Sequence, residues 1–201
     1  MINTLQMYKN VVVFISGNGS NLQKLIDTVH KSIIDIRLVV SNRKGAYGLK
    51  RAEEAEIPTL YMPYLSKTMD RREYDLSVGK EVLRRVPDLK YVLFLGWMHI
   101  LSKDFIDLFP PKTLINLHPA LPGCFPGKDA VLEAYNYFKD NPSKDMGTGA
   151  MVHYIIPEID AGEVIDKIFI PIYVTDTLET LRYRMFHMEK EILLRAIKKI
   201  M

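Results

Sequence analysis

The feature that most constrains the fold is an unbroken apolar run, VVVFI at residues 11–15, followed at once by a glycine-rich turn. A strand without polar alternation is buried on both faces, which is typical of a central strand in a parallel sheet. Beyond the turn at residues 16–21, apolar residues recur at helical spacing, namely Leu22, Leu25, Ile26 and Val29. This strand–turn–helix order predicts an α/β crossover unit.

The same alternation continues along the chain. It predicts strands at residues 34–40, 57–62, 91–95 and 114–117, and helices at residues 45–55, 69–86 and 127–139. Strands at residues 151–156 and 164–172 are joined by a short loop, which indicates an antiparallel pair. Asp176 opens a long last helix whose apolar positions face the sheet: Leu178, Leu181, Met185 and Ile192. We therefore expect an α/β fold with a doubly wound, mostly parallel sheet and an antiparallel edge.

Composition narrows the class of protein. A chain of 201 residues, 48% of them apolar and 25% charged, is typical of a single soluble domain. Its formal charge of +3 suits an anionic small molecule and is too small to indicate a nucleic-acid partner. Cys124 is the sole cysteine, so no intrachain disulfide is possible and a reducing compartment is expected. With no signal-like or membrane-length run, we expect a cytoplasmic protein that does not bind membranes.

The glycine-rich turn at residues 16–21 admits two interpretations. A glycine turn between a strand and a helix directs backbone N–H groups and the positive helix end at an anion, which predicts a cradle for a single phosphate. The alternative is a tight turn with Ser20 or Asn21 as helix N-cap. The dinucleotide fingerprint is excluded because Leu22 occupies its third glycine position, and no Walker motif is present.

The stretch LINLHPALPG at residues 114–123 is the best candidate for the chemistry. Asn116 and His118 lie two residues apart on a strand, so their side chains point to the same face. The prolines and glycine that follow end the strand, and ligands bind at the carboxyl ends of such strands. The alternative is a core histidine that is satisfied by a neighbouring asparagine.

Other candidate sites are weaker. The loop at residues 96–101, GWMHIL, is unusually apolar, so either a flat aromatic ligand or a second core layer lies against it. A Cys124–His118 nucleophile pair is conceivable, although a lone cysteine is more often inert. Five histidines without a metal-binding spacing argue against a zinc site, so we expect no metal. No nucleophile elbow for a serine hydrolase is present.

Together these segments resemble the phosphoribosylglycinamide formyltransferases, folate-dependent enzymes of purine synthesis, over nearly the whole length of the chain. The similarity rests on segments in the family's order: residues 15–22, 41–44, 46–49, 96–101, 116–123 and 160–162. The sequence Leu-Pro-Gly-Cys-Phe at residues 121–125 is most similar to that of the fungal, monofunctional members. The resemblance implies a formyltransferase fold whose Rossmann-like half, about residues 1–110, binds phosphate. It implies that about residues 111–201 form the catalytic and folate-binding half of the single domain.

The resemblance also implies roles for individual residues. The phosphate of the ribosyl glycinamide is held by Gly19, Ser20 and Asn21, and its ribose or glycinamide end contacts Glu189. Arg72 meets the folate, with Arg71 as the alternative in register. The pterin is bound largely by the backbone groups of Met98, His99, Ile100 and Leu101. Asn116 also contacts the folate. His99 stands where family members often have arginine, which matters only if that side chain touches the ligand.

The implied reaction transfers the formyl group of 10-formyltetrahydrofolate, a co-substrate, to the amine of N1-(5-phospho-D-ribosyl)glycinamide in IMP biosynthesis. Asn116, His118 and Asp160 form the catalytic trio. The amine attacks the formyl carbon directly and forms a tetrahedral intermediate, whose oxyanion accepts an Asn116 N–H. A protonated His118 acts as the acid, and a nearby Asp160 keeps it charged. A monomer or weak homodimer with small-molecule partners is expected.

Two classes of alternative remain. Formyltetrahydrofolate hydrolase and methionyl-tRNA formyltransferase share the Asn-x-His-Pro and Asp-x-Gly elements. Assignment to the hydrolase would imply a further N-terminal domain, and assignment to the tRNA enzyme would imply a further C-terminal domain. These 201 residues contain neither. A non-catalytic phosphometabolite-binding module would need only the glycine loop. Retention of Asn116, His118 and Asp160 together therefore favours an enzyme.

Overall fold

The computed structural model describes residues 8–65, 67–142 and 146–201. Its strands are β1 (Lys9–Ile15), β2 (Ile34–Ser41), β3 (Thr59–Tyr61), β4 (Tyr91–Phe94), β5 (Leu114–His118), β6 (Gly147–Tyr154) and β7 (Val164–Pro171). Its helices are α1 (Ser20–Thr28), α2 (Tyr47–Glu54), α3 (Arg71–Arg85), α4 (Lys103–Ile106), α5 (Ala130–Asp140) and α6 (Leu178–Ile200). Among these residues, no helix is both long enough and apolar enough to cross a membrane.

The strands form one sheet in the order β3-β2-β1-β4-β5-β6-β7. The pairs from β3 through β5 are parallel. The β5–β6 and β6–β7 pairs are antiparallel, so the sheet has the predicted antiparallel edge. The direction of winding reverses after β3, because β4 returns to the other side of β1. Such a switch point opens a crevice at the carboxyl ends of β1 and β4.

Helices cover both faces of the sheet, as the unbroken apolar strands require. Alternate β1 residues contribute to two separate cores: Val11, Val13 and Ile15 to the first, and Val12 and Phe14 to the second. The first core includes residues of α1, α2, α5 and α6. The second includes residues of α3 and α4. This arrangement confirms the expected doubly wound α/β fold.

One strand and one helix begin at residues other than those predicted from the sequence. β6 begins at Gly147, four residues before the predicted residue 151. Its glycines look like turn residues, but a Cβ on Gly149 would lie 2.3 Å from the Ile168 carbonyl oxygen, so glycine permits close strand approach there. α5 begins at Ala130 and not at residue 127, because Gly127 and Asp129 have left-handed φ values of 88° and 65°.

The helix caps also differ from expectation. The N-cap of α1 is Gly19, with φ 72°, so neither Ser20 nor Asn21 caps the helix. The N-cap of α6 is Thr177, not Asp176. Asp176 instead accepts hydrogen bonds from the Arg184 guanidinium at 2.8 Å. The short helix α4 was not predicted, and Ser102 caps it.

Candidate active site

β5 delivers two polar side chains to the carboxyl edge of the sheet, and the loop between β6 and β7 delivers a third. The Asn116 Nδ2 atom donates to Asp160 Oδ1 at 3.2 Å. The His118 Nδ1 atom lies 3.4 Å from Asp160 Oδ2. Asn116 and His118 reach the same carboxylate because alternate strand residues share a face. The structure therefore brings together the three residues that the sequence analysis assigned to catalysis.

His153 is a fourth member of this cluster that the sequence analysis did not single out. It lies on β6 directly opposite Asn116 of β5. Its Nε2 atom lies 3.3 Å from Asn116 Nδ2 and 3.5 Å from Asp160 Oδ1. Its Nδ1 atom donates to the Tyr154 carbonyl oxygen at 3.0 Å, which fixes the ring so that Nε2 faces Asn116 and Asp160. The signal in the sequence was a histidine inside a predicted strand, without any indication of which strand it pairs with.

The buried His118 ring is held between two acceptors. Its Nε2 atom lies 3.1 Å from the Phe125 carbonyl oxygen, and its Nδ1 atom faces Asp160. Burial lowers the pKa of His118 below its ordinary value, while the Asp160 charge and the Phe125 carbonyl act in the opposite direction. The unliganded imidazole is therefore predominantly neutral at pH 7. This differs from the expectation that Asp160 holds His118 protonated, because desolvation outweighs the attraction.

Asp160 is ionised despite its enclosed position. Burial raises its pKa, but the His153 ring, the Gly127 N–H and the nearby His118 together bring the pKa below its usual value. The Gly127 N–H donates to Asp160 Oδ2 at 2.8 Å. Asp160 has a left-handed φ of 51°, which aspartate tolerates better than most residues. The turn thus presents a carboxylate to the cluster.

These side chains line a cavity of about 430 Å³. Its other walls come from the loop at residues 96–101 and from an apolar set: Phe94, Ile106, Leu117, Ile155, Ile156 and Ile159. The cavity includes Met98, His99, Ile100, Leu101, Asn116, His118 and Asp160 from the predicted site. Both halves of the chain contribute to it. A mostly apolar cavity with a few convergent polar groups is typical of a small-molecule site.

The two neighbouring arginines of α3 have different surroundings. Arg71 donates from Nη2 to the Ile100 carbonyl oxygen at 2.6 Å and from Nε to Asp75 at 2.9 Å. Arg72 pairs instead with Asp104 and has 69% of its side chain exposed. One helical residue corresponds to a rotation of about 100°, so only one of two neighbours faces the loop. The arginine that contacts this loop is therefore Arg71. The sequence prediction had named Arg72 first and Arg71 as the alternative.

His99 packs beside the loop in an aromatic cluster. Its ring centroid lies 5.7 Å from those of Tyr64 and Trp97, and 6.2 Å from that of Tyr74. Burial lowers the pKa of His99, and the Arg71 charge acts in the same direction. These contacts place one part of the ring against aromatic neighbours, while His99 also lines the cavity, so a binding test, and not packing alone, decides whether its side chain touches a ligand.

The glycine loop lies at the carboxyl end of β1. A Cβ on Gly19 would lie 2.6 Å from Gly48 Cα, so the loop and α2 are too close for any larger residue. The Asn21 Nδ2 atom donates to Glu189 Oε2 at 2.9 Å, which joins α1 to α6. Burial raises the pKa of Glu189. The two residues predicted for opposite ends of the ribosyl substrate are therefore in direct contact.

The geometry gives no support to the alternatives that involve a metal or Cys124. Within residues 8–65, 67–142 and 146–201, no group of three or more acidic, histidine or cysteine side chains could hold a metal ion. Cys124 is exposed, whereas both ring nitrogens of His118 face other groups. A Cys–His nucleophile pair is therefore not formed in this structure.

Comparison with known proteins agrees with the geometry. The family profile described as "Formyl transferase" matches residues 9–197. A phosphoribosylglycinamide formyltransferase of Dictyostelium discoideum is 42% identical, with 94% of this chain and 96% of that protein covered. The enzyme of the same name from Schizosaccharomyces pombe is 39% identical, with 96% and 98% covered. These matches confirm the resemblance, including its fungal character.

Solved structures share the same fold. The crystal structure of glycinamide ribonucleotide transformylase 1 from Symbiobacterium toebii superimposes with a TM-score of 0.84 at 29% identity. The alignment covers 94% of this chain and 86% of that one. The likeness therefore extends over both cores and the edge on which the cavity lies.

Proposed function

Because this chain belongs to the formyl transferase family, we propose that it is a phosphoribosylglycinamide formyltransferase. The reaction transfers a formyl group from 10-formyltetrahydrofolate to the amine of N1-(5-phospho-D-ribosyl)glycinamide, a step of purine biosynthesis. One observation carries this proposal: Asn116 and His118 each place a polar atom within 3.4 Å of the Asp160 carboxylate at the cavity wall. The glycine loop after β1, two strands from β5 at the same edge of the sheet, supplies the phosphate site.

The chemistry requires charge stabilisation and two proton movements. When the amine attacks the formyl carbon, the formyl oxygen becomes negative, and the attacking nitrogen must lose a proton. The folate nitrogen that leaves must gain one. No covalent bond to the protein is needed, so the residues serve as hydrogen-bond donors and proton carriers.

Asn116 is the donor to the developing negative oxygen. In this structure its amide N–H groups contact Asp160 and His153, so one of those contacts is exchanged for the substrate. The remaining contact keeps the amide oriented, which makes the donor preorganised. One such donor contributes roughly 3–4 kcal/mol of transition-state stabilisation.

His118 carries the proton between the two nitrogen atoms. The contact of its Nε2 with the Phe125 carbonyl is exchanged for the reacting groups. As negative charge grows on the formyl oxygen, that charge and Asp160 together favour the imidazolium that burial disfavours at rest. The proton taken from the attacking amine then passes to the leaving folate nitrogen, so the protons balance.

The two substrates occupy different parts of the carboxyl edge. We assign the pterin to the backbone of Met98, His99, Ile100 and Leu101, braced by Arg71 through the Ile100 carbonyl. The phosphate is assigned to the N–H groups of Gly19, Ser20 and Asn21 at the start of α1. Glu189, held by Asn21, then faces the ribose or glycinamide end. We expect that no metal takes part and that the protein is a cytoplasmic monomer or weak homodimer.

An assay of formyl transfer to phosphoribosyl glycinamide tests the proposal. Asn116→Ala and Asp160→Asn should each lower kcat by roughly 100-fold or more, because each removes a group that acts in the transition state. Glu163→Gln is the matched control, since Glu163 lies three residues from Asp160 but forms an exposed ion pair with Lys112. That change should alter kcat by less than about twofold.

Two outcomes would contradict the proposal. Release of formate from the folate at the same rate with and without the amine would identify a hydrolase. Binding of the phosphoribosyl compound without any formyl transfer would identify a binding module.

A further inference from the structure

Arg51 of α2 forms three hydrogen bonds to the segment that carries the glycine loop. Its Nε atom donates to the Asn18 carbonyl oxygen at 2.9 Å, and its Nη2 atom donates to Asn18 Oδ1 at 3.0 Å. Its Nη1 atom donates to Gln23 Oε1 on α1 at 3.0 Å. One planar guanidinium therefore bridges the residue before Gly19 and the first turn of the helix after it.

The arginine itself is held in place from the other side. Its guanidinium carbon lies 4.8 Å from the centroid of the Tyr47 ring, one turn earlier on α2. The same helix supports the loop directly, since the Gly48 N–H donates to the Gly17 carbonyl oxygen at 3.2 Å. The glycine loop is thus supported from α2 by Tyr47, Gly48 and Arg51.

The charge of Arg51 is not neutralised by these contacts. All three of its acceptors are neutral oxygen atoms of Asn18 and Gln23. Burial lowers the pKa of Lys190, and the charges of Lys24 and Arg51 act in the same direction, while Glu189 opposes them. Lys24, Arg51 and Lys190 therefore lie within electrostatic reach of one another, with Glu189 as an opposing charge, and a dianionic ligand beside Arg51 would relieve their mutual repulsion.

We propose that Arg51 is the positioning residue of the phosphate site and makes the protein selective for the phosphorylated over the unphosphorylated ribosyl substrate. It fixes the Asn18 carbonyl, so the N–H groups that follow are already turned toward the phosphate before it binds. It also adds a positive charge that its own three acceptors do not neutralise. This inference rests on the proposed function and adds the residue that organises its phosphate end.

Lysine cannot replace arginine in this role. Its single ammonium lacks the planar fork that reaches Asn18 through two atoms and Gln23 through a third. An Arg51→Lys variant therefore retains the charge and loses the geometry, which separates the two contributions. Lys50 provides a matched control, because it lies one residue away, also approaches the Tyr47 ring, and pairs with Glu54 at 3.7 Å.

The experiment measures kcat and KM with phosphoribosyl glycinamide and with the same compound lacking its 5′-phosphate. Arg51→Met should raise KM for the phosphorylated substrate roughly 30-fold, as expected for a lost set of charge-assisted hydrogen bonds, with kcat nearly unchanged. The unphosphorylated substrate should lose less than about threefold. Arg51→Lys should recover only a minor part of the loss, and Lys50→Met should match wild type.

Calorimetric titration with inorganic phosphate provides a readout that does not depend on formyl transfer. Arg51→Met should weaken phosphate binding by a similar factor, even if the wild-type protein proves to catalyse a different reaction. An equal loss of kcat/KM on both substrates, or unchanged phosphate affinity, would overturn the proposal. Should Arg51→Met fail to fold, Gln23→Met removes one acceptor without a change in charge, and a several-fold loss confined to the phosphorylated substrate is expected.

Discussion

At the scale of single residues, the site depends on a balance between burial and charge at His118. The residue is only 3% exposed, so water does little to stabilise the charged form of its ring. The Asp160 carboxylate, 3.4 Å from Nδ1, compensates for only part of that loss. A histidine with this balance is neutral at rest and responds strongly to any further negative charge. Such a group can accept a proton during the reaction and return it.

The titration of His118 by NMR checks this balance. We expect the pKa of His118 to lie below its ordinary value of 6.5 in the wild-type protein. Asp160→Asn removes a negative charge and should lower that pKa further, because the imidazolium loses its attraction. The folded state binds fewer protons here than the unfolded state, so His118 makes stability fall as pH drops below 6.5. An unchanged titration in the asparagine variant would remove Asp160 from the mechanism.

At the scale of elements, the connection between β6 and β7 decides where the Asp160 carboxylate lies. A Cβ on Gly162 would lie 1.8 Å from the Tyr154 carbonyl oxygen, which is backbone and cannot move aside cheaply. The next residue continues the contact, since the Tyr154 N–H donates to the Glu163 carbonyl oxygen at 2.9 Å. The loop can therefore cross β6 closely only with glycine at this position. The Asp-x-Gly spacing is thus a steric requirement as well as a chemical one.

Gly162→Ala tests this steric requirement. The added methyl group should push the loop away from Tyr154, and with it the Asp160 carboxylate from His118 and Asn116. We expect kcat to fall at least about tenfold and the free energy of unfolding to fall by about 1–3 kcal/mol, as for overpacked sites. Steady-state kinetics and urea denaturation measure the two effects. Ala161→Gly, which changes an exposed neighbour in the same turn, is the control; equal effects of both changes would argue against the steric explanation.

At the scale of the whole molecule, one sheet edge joins the glycine loop to the loop at residues 96–101, the two regions that we propose bind the substrates. The Ser16 N–H donates to the Gly96 carbonyl oxygen at 3.1 Å, and the Ser16 hydroxyl accepts from the Met98 N–H at 3.0 Å. These bonds connect the end of β1, which leads into the glycine loop, with the loop that lines the cavity. The switch point between β1 and β4 thereby places both proposed binding regions at the same edge, each with its own residues.

Separate regions predict additive stabilisation by ligands. Inorganic phosphate and a folate analogue, each at ten times its Kd, should each stabilise the protein by about 1.4 kcal/mol. For a chain of this size, that corresponds to a rise in Tm of roughly 3–5 °C per ligand, and the two rises should add. Thermal denaturation measures the shifts. Gly19→Ala should abolish the phosphate shift and preserve the folate shift, whereas loss of both would show that the regions are not independent.

Local periodicity determined much of this protein before any tertiary contact was considered. The unbroken run at residues 11–15 predicted a central strand, and the two-residue spacing of Asn116 and His118 placed both on one face. These features are local because backbone geometry repeats every two residues in a strand and every 3.6 in a helix. The glycine turn before α1 was likewise visible from residue type and spacing.

Tertiary structure alone decided which residues from distant segments meet. His153 joined the site because β6 pairs with β5 in a register that sets His153 opposite Asn116. The sequence of a single strand does not determine which strand it pairs with. Arg71 rather than Arg72 reached the loop because the packing of Tyr74 and neighbouring residues sets the rotation of α3. The protonation of His118 also depended on burial by remote segments. Each of these outcomes arises from non-local contacts, whose energies depend on the assembled sheet and on both layers of helices.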